Sequence, residues 1–300
     1  MANLYSHIDS NIRKTWFLIT VFLLMIIGLG WVFSYIFVSQ EILIFAIVIS
    51  VFMSFASYWW SDKLVLGMTH AKEIKQNDNP ELYRVLENLA ITAGLPVPRL
   101  YLINDSSPNA FATGRNPKHA VVAVTEGILD KLNRTELEGV LAHELSHIGN
   151  RDMLVSTVVV VLAGVVIYAT DFLFRSLIWG GRGNRRDSNG GPVLLLVGVG
   201  ALIFASLFAT LLRFAVSRKR EYLADASGAL LTRYPEGLAS ALEKLQQDKT
   251  SMHYANNATA HLFIESPFGG DKHGRKVNFL AKLFMTHPPL EDRINKLRKL

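Results

Sequence analysis

Residues 143–147 read His-Glu-Leu-Ser-His, and this spacing could carry out metal-assisted hydrolysis. Two imidazoles four residues apart on a helix lie on the same face, so one Zn²⁺ can take a nitrogen from each. Glu144 sits one residue past the first histidine and can reach a water molecule at the metal without being a ligand. The pattern is the H-E-x-x-H arrangement, in which the glutamate is the general base. A solvated helix face is the alternative for so short a motif.

The flanking sequence favours the metal site because it predicts a half-buried helix. Thr135 and Glu138 have the S/T-x-x-E spacing of a capping box, so a helix should begin there. Gly149-Asn150 is a plausible helix end. Between these points apolar residues recur at helical spacing, namely Leu137, Val140, Leu141 and Leu145.

Composition indicates a membrane protein whose metal ligands are not thiolates. Half of the 300 residues are hydrophobic, and the mean hydropathy of +0.25 is high for a soluble protein. The chain has no cysteine, so a metal must be held by histidine and carboxylate side chains. The net charge is +6, which in a membrane protein serves orientation and anionic headgroups. No nucleic-acid-binding motif is present, and we expect no nucleic-acid partner.

Four apolar segments predict four transmembrane helices. Segments 16–38 and 42–60 are separated by a very short turn and predict an uncleaved helical hairpin, since about 20 residues cross a bilayer. Segments 154–170 and 192–212 predict a second hairpin, joined by a Gly/Arg-rich linker within 171–191. For this second pair, a buried helix pair in a soluble core is the alternative.

The distribution of basic residues predicts the orientation. Arg13 and Lys14 precede the first span and many basic residues follow the second, which places the N-terminus and residues 61–150 in the cytoplasm. Arginines in the later linker conflict with this orientation. We therefore predict a mainly α membrane protein: an N-terminal hairpin (1–60), a catalytic part (61–152), a second hairpin (153–213) and a second catalytic part (214–300). The two catalytic parts would form a cytoplasmic, zincin-like α+β domain with a small β-element.

Within the catalytic parts, the pattern predicts short strands over 99–103, 109–113 and 119–125. Helices are predicted from Pro80 to about Ala93, over 218–248 and over 289–300. A small β-element therefore precedes the predicted metal helix.

Catalytic zinc normally has three protein ligands, and Glu221 is the best candidate for the third. Glu221 and Asp225 are spaced i, i+4 on a predicted helix that follows the second hairpin. Asp225 could accept a hydrogen bond from the far nitrogen of a ligating histidine and fix its tautomer. Six other histidines remain alternative candidates for the third ligand: His70, His119, His253, His261, His273 and His287.

Several ordered motifs resemble the HtpX-type membrane zinc endopeptidases, which are relatives of the CAAX prenyl endopeptidase. They are HELSH at 143–147, EYLAD at 221–225, THPPLEDR at 286–293 and PNAFATG at 108–114. The resemblance implies one Zn²⁺ per chain on His143, His147 and Glu221, with Glu144 as base. It also implies that His287 and Arg293 stabilise the oxyanion. A substrate-binding edge strand is implied at Asn109, Ala110, Phe111, Ala112 and Thr113.

The same resemblance implies proteolytic quality control of damaged or misfolded membrane proteins. The expected location is a bacterial plasma (inner) membrane, with the active site facing the cytoplasm and the bilayer and protein substrates as partners. Two alternatives stay open: a CAAX-type protease that processes prenylated proteins, and a non-catalytic membrane scaffold that keeps a zinc fold. Glu144 argues against the scaffold, because only catalysis needs that base.

Overall fold

Two long apolar helices, α1 (Leu4–Phe37) and α2 (Gln40–Trp59), begin the computed structural model, which describes residues 4–165, 200, 217–254, 258–268 and 288–300. They pack along each other so closely that an added Cβ at Gly30 would collide with Ala46. Both helices are long and apolar enough to cross a bilayer. The helices predicted over 16–38 and 42–60 are confirmed, although α1 begins well before residue 16.

The length of α1 exceeds what a bilayer requires. Its 34 residues span roughly 50 Å at about 1.5 Å per residue, whereas the hydrocarbon core is about 30 Å thick. The polar and charged residues of α1 are concentrated before residue 16, among them Asn11 and Lys14. This N-terminal end of α1 is therefore the part that suits contact with the rest of the protein.

A four-stranded sheet follows in the chain. Its strands are β1 (Lys72–Glu73), β2 (Arg99–Ile103), β3 (Ala110–Thr113) and β4 (Val121–Thr125), in the spatial order β1-β2-β4-β3. β4 runs parallel to β2 and antiparallel to β3, so β3 forms one edge. The three predicted strands are confirmed, but the last begins at Val121 because Pro117–His119 form a 3-10 turn capped by Asn116.

Helices cover one face of this sheet and share a core with it. They include α4 (Pro80–Thr92), α5 (Glu126–Lys131) and α6 (Arg134–Gly149). The short helix α3 (Ser61–Met68) lies on the opposite face, where Val65 and Leu66 share a second core with Phe111. The predicted start of α4 is confirmed, with Asn79 as its N-cap. α6 carries the HELSH motif, and its central residues are buried.

α6 begins at an asparagine cap and not at the threonine that the sequence favoured. Asn133 accepts a hydrogen bond from the Glu136 amide at 3.0 Å, and the Glu136 carboxylate accepts one from the Asn133 amide at 2.8 Å. The predicted capping box of Thr135 with Glu138 is wrong, because Asn133 comes first and is at least as good a cap. The predicted end is confirmed, with Asn150 as the C-cap.

A sharp bend follows α6. Arg151 has a left-handed φ of 58°, and the chain turns by 83° into α7 (Asp152–Val165). α7 packs against α1 through a cluster of buried apolar residues: Leu18, Ile19, Phe22, Leu154, Val155, Val158, Val159 and Leu162. The third predicted span is thus helical as far as Val165. Residues 166–216, except the helical Gly200, lie outside the described residues, so the four-span arrangement stays a prediction.

The described part of the C-terminal region contains three α-helices: α8 (Arg218–Thr232), α9 (Pro235–Gln247) and α10 (Leu290–Leu297). The helical character predicted over 218–248 is confirmed, in two helices that are divided at Arg233, which has a left-handed φ of 54° and precedes Tyr234-Pro235. A Cβ at Gly228 would lie 3.0 Å from the His143 backbone nitrogen. Glycine therefore lets α8 approach α6 at the motif. The division into four parts stays a prediction.

Candidate metal centre

Three side chains from α6 and α8 converge at one point. His143, His147 and Glu221 each offer a ligand atom, and these atoms lie within 4.8 Å of one another. The two Nε2 atoms are 3.2 Å apart. The Glu221 carboxylate oxygens lie 3.7 Å from His143 Nε2 and 3.5 Å from His147 Nε2. The two motif histidines and the distant glutamate are therefore adjacent, as the sequence predicts.

Asp225 holds His143 from behind. Its Oδ1 lies 3.0 Å from His143 Nδ1, and it shares a face of α8 with Glu221 because the two are one turn apart. Arg293 on α10 donates to both Asp225 oxygens, at 2.9 and 2.7 Å. Burial raises the pKa of Asp225, but the Arg293 charge and the hydrogen bonds from His143 and Arg293 lower it to about 2. Asp225 is therefore ionised at neutral pH.

The resemblance implies that Arg293 stabilises the oxyanion, but the structure gives its guanidinium other partners. Its side chain is 0 % exposed, and Nη1 lies 3.6 Å from Glu221 Oε2. Among the described residues, it is not one of those lining the cleft beside the metal ligands. Its guanidinium is paired with Asp225, and its Nη2 also lies 3.4 Å from His143 Nε2. Arg293 thus fits the role of holding two carboxylates in place.

Asp152 holds His147 in a corresponding way. The Asp152 Oδ2 atom lies 3.2 Å from His147 Nδ1. Burial lowers the pKa of His147, but the hydrogen bond to Asp152 and the charges of Glu221, Asp152 and Glu144 raise it to about 9. Asp152 directly follows the bend after α6. Sequence reasoning missed this residue, although its position five residues after His147 offered a weak signal.

The chemistry of these side chains fits a divalent metal ion. With each Nδ1–H directed at a carboxylate, each Nε2 presents its lone pair to the point where Glu221 also lies. Three electron-pair donors that face one another repel unless a cation lies between them. In the metal-free protein a proton on His147 can take that position, which is consistent with its raised pKa. Two imidazoles and one carboxylate form a known catalytic ligand set.

A cleft opens next to these ligands. Its lining includes Ala112, Glu144, Ser156, Ser217, Arg220, His261, Leu262 and Ile264. Glu144 follows His143 on α6 and is almost fully buried, so it borders both the ligands and the cleft. His261 is a lining residue that the sequence did not single out among the open histidines. Its Nε2 lies 3.3 Å from the Ser156 carbonyl oxygen.

The predicted substrate-binding strand lies at the edge of the sheet, beside this cleft. The amide of Thr125 donates to the Asn109 carbonyl, so by antiparallel alternation the backbone of Ala110 and Ala112 faces away from β4. The Ala110 carbonyl already accepts from the Ile264 amide at 3.1 Å. Asn109 also exchanges side-chain hydrogen bonds with the Glu265 backbone. The chain itself therefore covers the Ala110 end of this edge, and Ala112 is the outward-facing position on the cleft.

The remaining candidate histidines divide into two groups. His70 stacks on Tyr254 with ring centroids 4.1 Å apart, His119 contacts Asn116 and Arg115, and His253 lies 3.5 Å from Asp105. His273 and His287 lie outside the described residues. The role of His287 in stabilising the oxyanion, which the resemblance implies, therefore stays a prediction.

The apolar helices and the His-His-Glu cluster beside a buried glutamate define the class of membrane metalloproteases. The sequence profile of Peptidase family M48 matches residues 76–300, more than half of the chain. The chain belongs to this family of peptidases. It is 45 % identical over 298 residues to a protein named Protease HtpX homolog from Dictyoglomus turgidum, covering 99 % of this chain and 94 % of that protein.

Two further similarities accompany this match. A Protease HtpX homolog from Pyrococcus furiosus is 46 % identical over 278 residues, covering 92 % of this chain and 91 % of the relative. The crystal structure of S. mikatae Ste24p is 18 % identical with a TM-score of 0.49, covering 99 % of this chain and 67 % of that one. The resemblance to the HtpX-type proteases is therefore confirmed by close relatives along nearly the whole chain.

Proposed function

We propose that this chain is an integral membrane zinc endopeptidase that cleaves protein substrates at the cytoplasmic face of a bacterial plasma membrane. The observation that carries the proposal is the convergence of His143, His147 and Glu221 within 4.8 Å, with Glu144 beside them in an open cleft. Two imidazoles and a carboxylate are a ligand set of catalytic zinc that leaves one coordination position open.

Zinc, when bound, supplies Lewis acidity to water and to the scissile carbonyl. Glu144 takes the proton from the attacking water as a carbon–oxygen bond forms, and the same carboxyl then donates it to the leaving amine as the carbon–nitrogen bond breaks. Asp225 and Asp152 keep both imidazoles in the tautomer that presents Nε2. His287 is the proposed donor to the oxyanion, because Arg293 is committed to Asp225.

The substrate is proposed to bind as an extended strand against β3. Ala112 presents its amide and carbonyl towards the cleft, whereas the Ala110 carbonyl is already bonded to Ile264. Backbone hydrogen bonds at Ala112 would align the peptide in the cleft without contacting its side chains. This arrangement favours loose sequence selectivity. The contact between Ile264 and Ala110 would limit how far the substrate strand extends past this position.

The charges at the N-terminal end of α1 support the cytoplasmic orientation, and a contact between the sheet and α2 supports a substrate strand close to the bilayer. Arg13 and Lys14 lie at the N-terminal end of α1, as the positive-inside rule expects for a cytoplasmic end. The Arg115 guanidinium, in the turn between β3 and β4, lies 4.6 Å from the Trp59 ring at the end of α2. This turn holds the substrate strand near the end of a membrane helix. Exposed segments of damaged or misassembled membrane proteins are therefore the substrates that we propose.

Glu144→Gln tests the proposal. We expect the variant to retain bound zinc and to lose roughly 10²–10⁴-fold in the rate of casein cleavage, because general-base catalysis contributes that much. Purified full-length protein in detergent is assayed for zinc by elemental analysis and for cleavage with and without a chelator. Glu138→Gln is the matched control, since Glu138 is on the same helix and, among the described residues, pairs with surface Arg134. Undiminished cleavage by Glu144→Gln would exclude Glu144 as the base.

Backbone pairing at Ala112 is tested from the substrate side. In a series of synthetic peptides with one N-methylated amide each, we expect cleavage to fall sharply at the position that bonds to Ala112 and to change little elsewhere. KM and kcat are measured for each peptide. A prenylated peptide and its unmodified twin are included, and strict dependence on the lipid would favour the processing of prenylated proteins over general proteolysis.

A further inference from the structure

A buried polar link joins the N-terminal membrane helix to the candidate metal centre. Asn11 on α1 is 3 % exposed, and its amide nitrogen donates to the Asp152 Oδ1 atom at 2.7 Å and to the Asn150 carbonyl at 3.0 Å. The other Asp152 oxygen lies 3.2 Å from His147 Nδ1. A continuous path of hydrogen bonds therefore runs from α1 through Asp152 to a proposed metal ligand.

The burial of Asn11 needs an explanation, because an apolar side chain would pack there at lower cost. A buried amide loses its hydration and recovers it only through well-formed hydrogen bonds. Both hydrogens of the Asn11 amide are directed at the bend between α6 and α7, which is where the chain leaves the HELSH helix. The apolar contacts of Leu18, Ile19 and Phe22 already hold α1 against α7. The hydrogen bonds of Asn11 are therefore not needed to hold α1 against α7. They instead orient the groups at the bend between α6 and α7.

We propose that Asn11 is a positioning residue, through which the N-terminal membrane helix fixes Asp152 and thereby the ring of His147. The Asp152 carboxylate has two oxygens with separate tasks. One faces His147, and the other is held by Asn11 with Arg220 at 3.7 Å. Without Asn11, Asp152 could rotate about its side-chain torsions and leave His147 Nδ1 without a defined acceptor. The inference rests on the proposed metal site and adds that the membrane anchor completes it.

The test compares two full-length variants in the same interface. Asn11→Leu removes the hydrogen bonds but keeps the volume, whereas Leu18→Ala weakens the apolar contact between α1 and α7 and leaves the polar link intact. Asp152→Asn is the reference for a direct partner of a metal ligand, where a loss of roughly 10–100-fold in metal affinity is usual. Zinc affinity is measured by competition with a chromophoric chelator, and thermal unfolding is recorded in parallel.

We expect Asn11→Leu to weaken zinc binding by less than Asp152→Asn but clearly more than Leu18→Ala. We expect Leu18→Ala to lower the unfolding temperature more. The visible spectrum of the cobalt-substituted protein should change in Asn11→Leu and stay unchanged in Leu18→Ala. The double variant Asn11→Leu/Asp152→Asn should bind no more weakly than Asp152→Asn alone, because both act through one carboxylate.

Wild-type zinc affinity and an unchanged cobalt spectrum in Asn11→Leu would overturn the inference. Equal losses of affinity in Asn11→Leu and Leu18→Ala would also overturn it, since Asn11 would then serve only adhesion. Both outcomes leave the proposed function intact, because the wild-type protein still binds zinc. Failure of the wild-type protein to bind zinc would instead reject the proposed function, and the inference with it.

Discussion

The two histidines of the motif are supported by carboxylates from different regions of the molecule. His143 is backed by Asp225 on α8, which is gripped by Arg293 on α10. His147 is backed by Asp152 at the start of α7, which is held by Asn11 on the membrane helix α1. One side of the centre thus depends on the C-terminal helices, and the other depends on the apolar hairpin. Neither region alone therefore builds the site.

The two sides also differ in charge. Asp225 forms a fully buried ion pair with a guanidinium, whereas the closest partner of Asp152 is the neutral amide of Asn11. A buried ion pair is costly to break, because removing one partner leaves the other charge without compensation. A neutral hydrogen bond leaves a smaller cost behind. The two carboxylates should therefore serve similar roles towards the histidines while contributing differently to stability.

The largest effect is expected where the two sides meet, at Glu221. Glu221→Ala removes the one proposed ligand that lies within 4 Å of both Nε2 atoms. We expect nearly all bound zinc to be lost, because two imidazoles alone rarely retain catalytic zinc. Elemental analysis of the dialysed protein measures the loss, with Glu236→Gln as a surface control. Full zinc occupancy in Glu221→Ala would mean that the third ligand is elsewhere.

The next effect separates the two sides directly. Asp225→Asn and Asp152→Asn should each weaken zinc binding by roughly 10–100-fold, because each removes the charged partner of a ligand. Asp225→Asn should lower the free energy of unfolding more than Asp152→Asn does, by about 3–5 kcal/mol, because it leaves the buried Arg293 without its bidentate partner. Unfolding in the presence of chelator measures the stability of the metal-free protein and so separates this effect from the loss of zinc. Equal destabilisation by the two variants would contradict the contrast between the two sides.

The sequence predicts the C-terminal side of the site far better than the membrane side. Asp225 is found because Glu221 and Asp225 are one helical turn apart, and such a pair shares a face wherever the helix lies. Asp152 and Asn11 meet only because the chain bends by 83° at Arg151 and α7 returns along α1. That geometry depends on a left-handed residue and on packing between segments far apart in the chain, which local periodicity does not contain.

The same distinction applies to the other elements. Helices and strands with strong periodic patterns, such as α4 and β2, follow from the sequence. The start of α6 does not, because Asn133 and Thr135 offer competing caps and only the hydrogen-bond geometry decides between them. The role of Arg293 is likewise invisible in the sequence. Its guanidinium reaches Asp225 because α10 packs against α8, and no spacing rule connects residues 225 and 293.

The smallest effect concerns the pH dependence of the metal-free protein, and it also distinguishes the two sides. The pKa of His147 is raised from 6.5 to about 9, with Asp152 a main cause of the rise. A raised pKa means that protonated His147 stabilises the folded state. This stability is fully present below pH 6.5 and is lost as the pH rises through about 9. Thermal unfolding in chelator should therefore show a decline across this window.

Asp152→Asn should flatten that decline, because the acceptor that favours the charged imidazole is weakened. Asp225→Asn should leave the slope in place, since Asp225 faces the other histidine. Saturating zinc should abolish the slope in the wild-type protein, because a ligating imidazole is neutral throughout. A slope that persists unchanged in Asp152→Asn would show that Asp152 is not what raises the pKa of His147. The two sides of the centre would then not differ in their pH dependence.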